Sequence, residues 1–461
     1  MLKRKIEKYF QFWKDNRKTA LLVDGARQIG KTFSIEKFIN ENFENVIEIN
    51  FATRIDLIDL FYSNKSSDEI LIKLSSVFGE KLIPNKTVIF FDEIQLLYQK
   101  RDLEKKKGKL EFSSLDLVSI MKPLVIDGKY RFILSGSFLG VSIKDIILNP
   151  LGYLDEVRMF PLDFEEYLLN KNVGGESIEY LKKCFYSKEQ VLPSLNTLFL
   201  NYFREYILIG GMPEAVNEFN KSKNLFNVSN VQNQILNKYS YDVTTYLNDD
   251  EKKLRIKEIY KSIPSELNSK NKRFISSNVI DKNYLKNKNI EDEFVWLSNA
   301  GIIIPVFNVS EPTSPLSLSS NRKTLKAFMN DIGLLDAALY DTDLRNKLLK
   351  NEKEINFGAP YENAAAQELY AHGFNEKLFY YNSKKHGEVD FLIELNGEVL
   401  PIEIKSGKPD NMNYYNHVAL TNLIKTYDIK ESYLFGECNV KKENEHIYQF
   451  PIYMISFISK L

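Results

Sequence analysis

Cysteine is scarce in this chain of 461 residues, which contains only Cys184 and Cys438. Two cysteines so far apart in sequence do not provide a disulfide framework, and they indicate a reducing compartment. Long apolar runs are also missing, so we expect no segment that crosses a membrane. The first residues are charged and lack the apolar region of a signal peptide. These absences predict a soluble, cytoplasmic protein.

Net charge is absent as well. The chain has 62 lysines and arginines against 62 aspartates and glutamates, which gives a formal charge of +0. A neutral chain gives no general support to nucleic-acid binding, although a local basic patch could still provide it. One candidate patch is the all-lysine segment 105–107, for which a solvated loop is the alternative. The other is the group Lys270, Lys272 and Arg273, for which a protein contact is the alternative.

A phosphate-binding loop is the first motif with a clear chemistry. An apolar run, Leu21–Val23, precedes the sequence Gly25-Ala26-Arg27-Gln28-Ile29-Gly30-Lys31-Thr32, and a helix-like segment follows from Phe33. The loop matches G-x-x-x-x-G-K-[ST], in which the glycines let backbone N–H groups approach a phosphate. Lys31 supplies a cation for the β- and γ-phosphates, and Thr32 supplies a hydroxyl for Mg²⁺. The predicted ATP site comprises Gly25, Ala26, Arg27, Gln28, Ile29, Gly30, Lys31, Thr32 and Phe33.

Two later strands also end in polar residues. The apolar run at residues 87–91 ends in Asp92 and Glu93, and the run at 130–134 ends in Ser135-Gly136-Ser137. In a phosphate-loop ATPase the first carboxylate would hold Mg²⁺ and the second would activate the attacking water. We therefore predict Asp92 as a metal ligand and Glu93 as the general base. A phosphate-loop kinase is disfavoured, because this pair suits water as the nucleophile.

The combined motifs resemble those of prokaryotic AAA+ ATPases of the archaeal-type group. They are Gly-Ala-Arg-Gln-Ile-Gly-Lys-Thr, Phe-Phe-Asp-Glu-Ile-Gln, Leu-Ser-Gly-Ser and, at 160–166, Phe-Pro-Leu-Asp-Phe-Glu-Glu. The resemblance implies that Ser137, with Ser135 second, is a polar sensor of the γ-phosphate. Many such proteins carry a basic residue where this chain has Gly152-Tyr153. Arg158 is a weak substitute, for which a structural ion pair is the preferred interpretation.

The same resemblance extends to the middle of the chain. The segment 202–215 resembles that of the family and predicts a helix that stops at Gly210-Gly211, with Pro213 starting the next helix. The resemblance also implies a winged helix at residues 253–310, built from three short helices and extended segments. Residues 311–320, rich in proline and serine, would be the wing or a loop.

A third group of candidate catalytic and metal-binding residues lies near the C-terminus. Asp390 and the pair Glu403 and Lys405 lie on two predicted strands, and Asn396-Gly397 between them predicts a hairpin. Glu362 lies near the start of a preceding helix. This is the PD-(D/E)xK arrangement, in which carboxylates bind Mg²⁺ and the lysine positions or deprotonates the nucleophile. The predicted metal ligands are Glu362, Asp390 and Glu403, and the predicted catalytic residues are Asp390, Glu403 and Lys405. A scaffold that has lost cleavage and recognises a partner is the alternative.

The expected architecture is α/β in three parts, in agreement with the chain length. Residues 1–170 form an AAA+ P-loop parallel-sheet ATPase domain, 171–335 a helical and winged-helix connector, and 336–461 a restriction-endonuclease-like α/β domain. The expected function is ATP hydrolysis with Mg²⁺, coupled to a nuclease-like domain that acts on or recognises DNA or RNA. The alternative is a signalling or partner-remodelling ATPase whose nuclease-like domain is an inactive protein-binding module. Self-association through the ATPase domain is a further expectation.

Overall fold

A computed structural model shows how these segments fold. It describes residues 2–61, 66–98, 100, 117–137, 152–245, 249–269, 291–350, 352, 358–406 and 417–460. The basic segment 105–107 and the group Lys270, Lys272 and Arg273 lie outside the described residues. The chain divides into two units, Arg4–Phe160 and Met1–Lys3 with Pro161–Leu461. We call them the N-terminal unit and the C-terminal unit.

The N-terminal unit is built on a parallel sheet. Its described strands are β1 (Ala20–Asp24), β2 (Asn45–Asn50), β3 (Thr87–Asp92), β4 (Arg131–Gly136) and β5 (Leu154–Arg158), in the spatial order β2-β3-β4-β1-β5. Its helices include α1 (Ile6–Asn16), α2 (Lys31–Asn42), α3 (Ile55–Phe61), α4 (Ser67–Phe78) and α5 (Met121–Asp127), with a 3₁₀ turn at Gly79–Lys81.

The burial of the strands follows their place in this sheet. β1 and β3 are buried along their whole length, whereas β2 and β5 at the edges are partly exposed. Continuous apolar runs are typical of inner strands of a parallel sheet, which are covered on both faces. Because every pairing is parallel, the residues that follow β1, β3 and β4 meet at one edge of the sheet.

The C-terminal unit contains a mixed sheet of eight described strands. They are β6 (Ile303–Val309), β7 (Ser320–Met329), β8 (Phe379–Ser383), β9 (Gly387–Leu395), β10 (Glu398–Ile404), β11 (Ser432–Gly436), β12 (Lys441–Lys442) and β13 (Ile447–Pro451), in the spatial order β12-β13-β11-β10-β9-β8-β6-β7. Strands β8, β9 and β10 form an antiparallel meander, and β11 pairs in parallel with β10.

Along the chain, helices precede, separate and follow these strands. Those described are α6 (Phe164–Asn170), α7 (Gly175–Ser187), α8 (Pro193–Ile209), α9 (Pro213–Ser222), α10 (Leu225–Thr245), α11 (Asp250–Leu267), α12 (Glu291–Asn299), α13 (Ile332–Leu339), α14 (Thr342–Leu349), α15 (Gly358–Leu369) and α16 (Val418–Tyr427). Shorter helical turns lie at Leu316–Ser319, Tyr370–Phe374 and Ile452–Phe457.

The predicted winged helix is not seen in the described residues. Strands β6 and β7 form a hairpin, but β6 also pairs in parallel with β8, so the hairpin forms one edge of the eight-stranded sheet. Of the three short helices predicted there, α11 and α12 are described, and residues 270–290 between them lie outside the described residues. The winged helix therefore stays a prediction. The predicted domain boundaries at 170/171 and 335/336 stay predictions, although the sheet crosses the second of them.

The predicted glycine corner is confirmed. Helix α8 ends at Ile209, Gly210 has a φ of +76°, and α9 begins at Pro213. A Cβ on Gly211 would collide with the carbonyl of Leu162. The Gly211 N–H donates to Asp331 Oδ2 at 2.6 Å, and Asp331 also caps α13 through the Leu334 N–H. The corner therefore requires glycine for space as well as for conformation.

Candidate functional site

The phosphate loop lies between β1 and α2, as the sequence predicts. Gly25 and Gly30 have φ values of +147° and +89°, and Gln28 also has a positive φ of +64°. A Cβ on Gly25 would collide with the carbonyl of Met159. These two glycines therefore allow a backbone path that other residues would strain or block.

Lys31 is the first residue of α2 and only 9% exposed. Its ammonium donates to the carbonyls of Gly25 at 2.8 Å and Ala26 at 2.7 Å. Burial lowers the pKa of Lys31, while the carboxylates of Asp24, Glu93 and Asp92 act in the opposite direction. The cation is thus fixed against the loop that would hold the β- and γ-phosphates.

The Asp92 carboxylate accepts hydrogen bonds from several residues at the centre of the site, and Asp92 is 2% exposed. Thr32 Oγ1 and Asn50 Nδ2 both donate to its Oδ2 at 2.9 Å. Ser135 donates to the other oxygen, Oδ1. Sequence reasoning missed Asn50, although its position at the end of β2 placed it on the same edge of the sheet.

Oxygen atoms of this kind fit a magnesium ion. Mg²⁺ is usually held by one or two carboxylates together with substrate phosphates. The Thr32 hydroxyl and the Asp92 carboxylate are in contact beside the loop, so the donor set is of the required type.

Glu93 belongs to a second cluster of polar side chains. Its φ is +56°, and its carboxylate accepts a hydrogen bond from the buried amide of Gln95. Gln95 Nε2 also lies 3.4 Å from Ser137 Oγ. Arg27 Nε donates to Ser137 Oγ at 3.2 Å, and Arg27 Nη2 lies 3.9 Å from Glu93 Oε2. The structure thus links the predicted base and the predicted sensor through Arg27 and Gln95. The sequence predicts Arg27 only as a residue of the phosphate loop and does not single out Gln95.

Arg158 forms the predicted structural ion pair. Its Nη2 and Nε lie 2.6 Å and 2.8 Å from Asp24 Oδ2. Asp24 is the last residue of β1 and 5% exposed. The pair joins β5 to β1 at the edge of the sheet that carries the phosphate loop.

The C-terminal carboxylates lie on the predicted hairpin. Asn396 and Gly397 have φ values of +52° and +81°, as expected of a type I′ turn, and β9 pairs with β10 around them. The Ile404 N–H donates to Asp390 Oδ2 at 2.8 Å, which ties Asp390 to the neighbouring strand.

The E-x-K pair is in contact across one face of this hairpin. Lys405 Nζ lies 2.9 Å from Glu403 Oε1. Burial raises the pKa of Glu403 to about 8, and the carboxylate of Asp390 adds to this effect, followed more weakly by that of Glu362. Glu362 lies on α15 and is 4% exposed. The structure therefore brings the predicted residues Glu362, Asp390, Glu403 and Lys405 close together. Gly407, which follows the predicted motif, lies outside the described residues.

A lysine that sequence reasoning missed lies among these acids. Lys326, on β7, is 0% exposed, and its Nζ lies 2.6 Å from Glu388 Oε1 and 3.9 Å from Asp390 Oδ1. Burial alone would lower the pKa of Lys326, but Glu362, Glu388 and Asp390 outweigh burial and raise it above the usual value. The signal available in the sequence was a lysine within the apolar strand pattern of residues 325–329.

A buried lysine lies among the C-terminal acids. Among the described residues, neither this cluster nor the N-terminal site has three or more His, Cys, Asp or Glu side chains arranged to hold a metal ion. The buried ammonium of Lys326 already neutralises part of the negative charge. A metal ion at this cluster would have to compete with that ammonium for the carboxylates.

Three family descriptions match successive parts of the chain. Residues 17–168 match "AAA domain", residues 200–345 match "Domain of unknown function (DUF8612)", and residues 357–454 match "Domain of unknown function (DUF4143)". No curated protein matches the chain. The first match contains the phosphate loop and the residues around Asp92 and Ser137.

Several solved structures are similar to parts of the chain. The Walker-type ATPase PABY2304 of Pyrococcus abyssi is 16% identical with a TM-score of 0.41, over 73% of this chain and 96% of that one. PCH-2 of C. elegans is 13% identical with a TM-score of 0.25, over 48% of this chain and 61% of its own. A katanin structure is 13% identical with a TM-score of 0.20, over 38% of this chain and 51% of its own.

Membrane-spanning helices are absent from the described ranges. None of the helices there combines the length and the apolar character that a bilayer crossing needs.

Proposed function

We propose that the N-terminal unit, a P-loop ATPase domain of the AAA type, hydrolyses ATP with Mg²⁺. The observation that carries this proposal is the contact of Thr32 with Asp92 beside a loop whose lysine is buried and fixed. Binding without hydrolysis would need neither a second carboxylate nor a polar residue after β4. Glu93 and Ser137 supply both.

Each side chain has a role in this reaction. The loop N–H groups and Lys31 bind the phosphates. Thr32 and Asp92 would hold Mg²⁺, which would neutralise phosphate charge. Glu93 accepts a proton from the attacking water as the water oxygen bonds to the γ-phosphorus, and the bond between that phosphorus and the bridging oxygen breaks. Ser137, which is linked to Glu93 through Gln95 and Arg27, orients the water or the terminal phosphate. The products are ADP and inorganic phosphate.

Phosphate release from ATP tests this proposal. Lys31→Ala should abolish nucleotide binding, because it removes the cation that faces the phosphates. Glu93→Gln should keep binding and lose roughly 10²- to 10⁴-fold in turnover, the usual contribution of a general base. Lys86→Ala, which removes an exposed lysine paired with Glu44, is the matched control and should change neither quantity. Retained ATP affinity in Lys31→Ala would contradict the loop assignment.

The C-terminal unit supports a second proposal. The order α15, meander β8–β10, α16 and β11 is that expected of a restriction-endonuclease-like domain, which we propose as its fold. Because Lys326 neutralises part of the acidic cluster, we propose that this domain recognises DNA or RNA without metal-dependent cleavage. Recognition of a protein partner by the same domain is the alternative.

Nucleic-acid integrity and ATP turnover separate these possibilities. Double-stranded DNA, single-stranded DNA and RNA should remain intact with Mg²⁺ or Mn²⁺, and one of them should stimulate phosphate release over the Glu93→Gln blank. Cutting that disappears in Asp390→Ala or Lys405→Ala would restore the nuclease hypothesis. If none of the three nucleic acids changes the rate of ATP turnover, a protein partner would be favoured.

Mn²⁺ binding tests the role of Lys326 directly. Without nucleotide, the wild-type chain should show no ordered Mn²⁺ site at this cluster by electron paramagnetic resonance. Lys326→Met removes the ammonium and should create one, whereas Lys385→Met, at an exposed position, should not. A wild-type site that is lost in Asp390→Ala would contradict the proposal without any measurement of activity.

A further inference from the structure

Arg27, the third residue of the phosphate loop, lies beside two predicted catalytic side chains. Its Nε donates to Ser137 Oγ at 3.2 Å, and its Nη2 lies 3.9 Å from Glu93 Oε2. Its side chain is 26% exposed, so it is partly enclosed by the site. The loop thus contributes a second cation in addition to Lys31.

The position of Arg27 along the loop determines which phosphate it would meet. Lys31 contacts the carbonyls of Gly25 and Ala26, which immediately precede Arg27. Glu93 and Ser137 follow β3 and β4, the strands next to one another in the sheet. In the proposed reaction these two side chains act on the terminal phosphate or its water. A guanidinium between these two side chains therefore lies on the side of the terminal phosphate.

Arg27 and Arg158 differ in the side chains that they contact. Arg158, the other arginine considered for catalysis, lies 2.6 Å from the buried Asp24 at the end of β1. Arg27 contacts the predicted sensor and the predicted general base. This position favours Arg27 for a catalytic contact.

We propose that Arg27 is the arginine that stabilises the transition state, supplied by the same chain that binds the ATP. As the bond from the γ-phosphorus to the bridging oxygen breaks, negative charge grows on the leaving and equatorial oxygens, and Arg27 binds it. This inference rests on the proposed ATP hydrolysis. It predicts a site that needs no arginine from a neighbouring molecule.

Arg27→Ala and Arg27→Lys test the proposal in the full-length chain. An arginine in this role typically contributes about 10³- to 10⁵-fold to turnover, so kcat should fall steeply in Arg27→Ala. Arg27→Lys should recover only part of it, because an ammonium lacks the planar fork with which a guanidinium binds two oxygens in a fixed geometry. The dissociation constant of a fluorescent ATP analogue should stay within a few-fold, which also shows that the variant is folded. Arg54→Ala, which removes an exposed arginine paired with Asp56, is the control.

Mixing experiments decide whether the arginine acts within one chain. Arg27→Ala lacks the arginine, and Lys31→Ala retains the arginine but lacks ATP binding. If Arg27 acts within its own chain, a mixture of the two variants stays inactive, and the specific activity of the wild type is constant on dilution. Recovered activity in the mixture would overturn the proposal, as would an Arg27→Ala variant with normal kcat and a raised KM. If the wild type itself fails to bind and hydrolyse ATP, the proposed function fails first, which separates the two failures.

Discussion

Asp92 shows how one buried carboxylate gathers side chains from several elements. Thr32 comes from α2, Asn50 from β2 and Ser135 from β4, and all three donate to it. A carboxylate with three donors keeps a fixed orientation, and the donors restrict how it meets a metal ion. Side chains of this supporting kind commonly change metal affinity when they are removed.

Asn50→Ala should weaken the response of the ATPase to Mg²⁺. Loss of an outer partner typically costs about 10- to 100-fold in metal affinity, so the Mg²⁺ concentration for half-maximal turnover should rise by that order. Asn42→Ala, at the end of α2, removes an amide that contacts Lys14 and serves as the control. An unchanged Mg²⁺ response in Asn50→Ala would show that Asp92 does not depend on this donor.

Asp331 gives the C-terminal unit a defined pH response. Burial raises its pKa from 3.8 to about 6, although backbone N–H groups of Gly211, Leu334 and Gly333 pull it down. A raised carboxyl pKa means that the folded state holds the proton more tightly than the unfolded state. Its contribution to stability is therefore complete below pH 3.8, is lost as the pH rises to 6, and is constant above that.

The variant Asp331→Asn should remove this pH dependence. The wild type should lose up to about 3 kcal/mol of unfolding free energy relative to the variant between pH 3.8 and 6, at 1.36 kcal/mol for each unit of pKa shift. Urea unfolding of both proteins at several pH values measures the difference. A difference that is flat across this window, or one that grows above pH 7, would contradict the assignment.

Two turns show how elements constrain single residues in different ways. At Gly397 φ is +81°, and a Cβ there would meet nothing within 4 Å. Gly211 does not have a φ in the left-handed region, but its Cβ would collide with backbone atoms of Leu162. At Gly397 only the backbone conformation requires glycine. At Gly211 the lack of space for a side chain requires it.

Gly397→Ala and Gly211→Ala should therefore differ in cost. The left-handed conformation costs an alanine about 1–2 kcal/mol, whereas overpacking against backbone costs roughly 1–3 kcal/mol and sometimes more. We expect Gly211→Ala to be the more destabilising change in denaturant unfolding. Equal costs, or the reverse order, would mean that the α8–α9 corner can move away from Leu162.

Local patterns were enough to predict most of the elements that build the sites. The strand–loop–helix around Gly25, the strand that ends at Asp92 and the hairpin around Asn396 depend on residues close together in sequence. The structure forms all three as expected. The residues that follow β1 and β3 converge because the strands of the parallel sheet share one edge, which is a rule of topology and not of side chains.

Long-range pairing was what the sequence could not provide. Strand β6 pairs with β8 across a long separation in the chain, and the local sequence of neither strand identifies its partner. As a result, Lys326 on β7 was assigned to a separate connector and not to the acidic cluster. Arg27 was counted as one loop residue among nine, because only the fold places its side chain beside Ser137.

At the scale of the whole molecule, the two units have separate hydrophobic cores. One cluster packs the parallel sheet around Leu22, Ile89 and Phe91, and another packs the mixed sheet around Leu392, Leu423 and Leu434. A ligand that binds only the folded form of one unit stabilises that unit by mass action.

Calorimetry of the full chain should therefore show two unfolding transitions, one of which shifts with nucleotide. ATP with Mg²⁺ at about 100 times its dissociation constant adds about 2.7 kcal/mol to the unit that binds it. In Glu93→Gln, which does not consume the ligand, one transition should rise and the other should stay. Lys31→Ala should remove the shift. A single transition that moves as a whole would mean that the two cores unfold together.

The order of strands along the chain has a consequence for biosynthesis. The parallel sheet has all its described strands once β5, ending at Arg158, has been made, whereas the mixed sheet waits for β13, ending at Pro451. At ribosomal speeds of about 5–20 residues per second, roughly half a minute separates these events. The nascent N-terminal unit can therefore complete its sheet before the other unit exists. During the same interval β11 emerges before its partner β13, so the edge of β11 is open to mispairing.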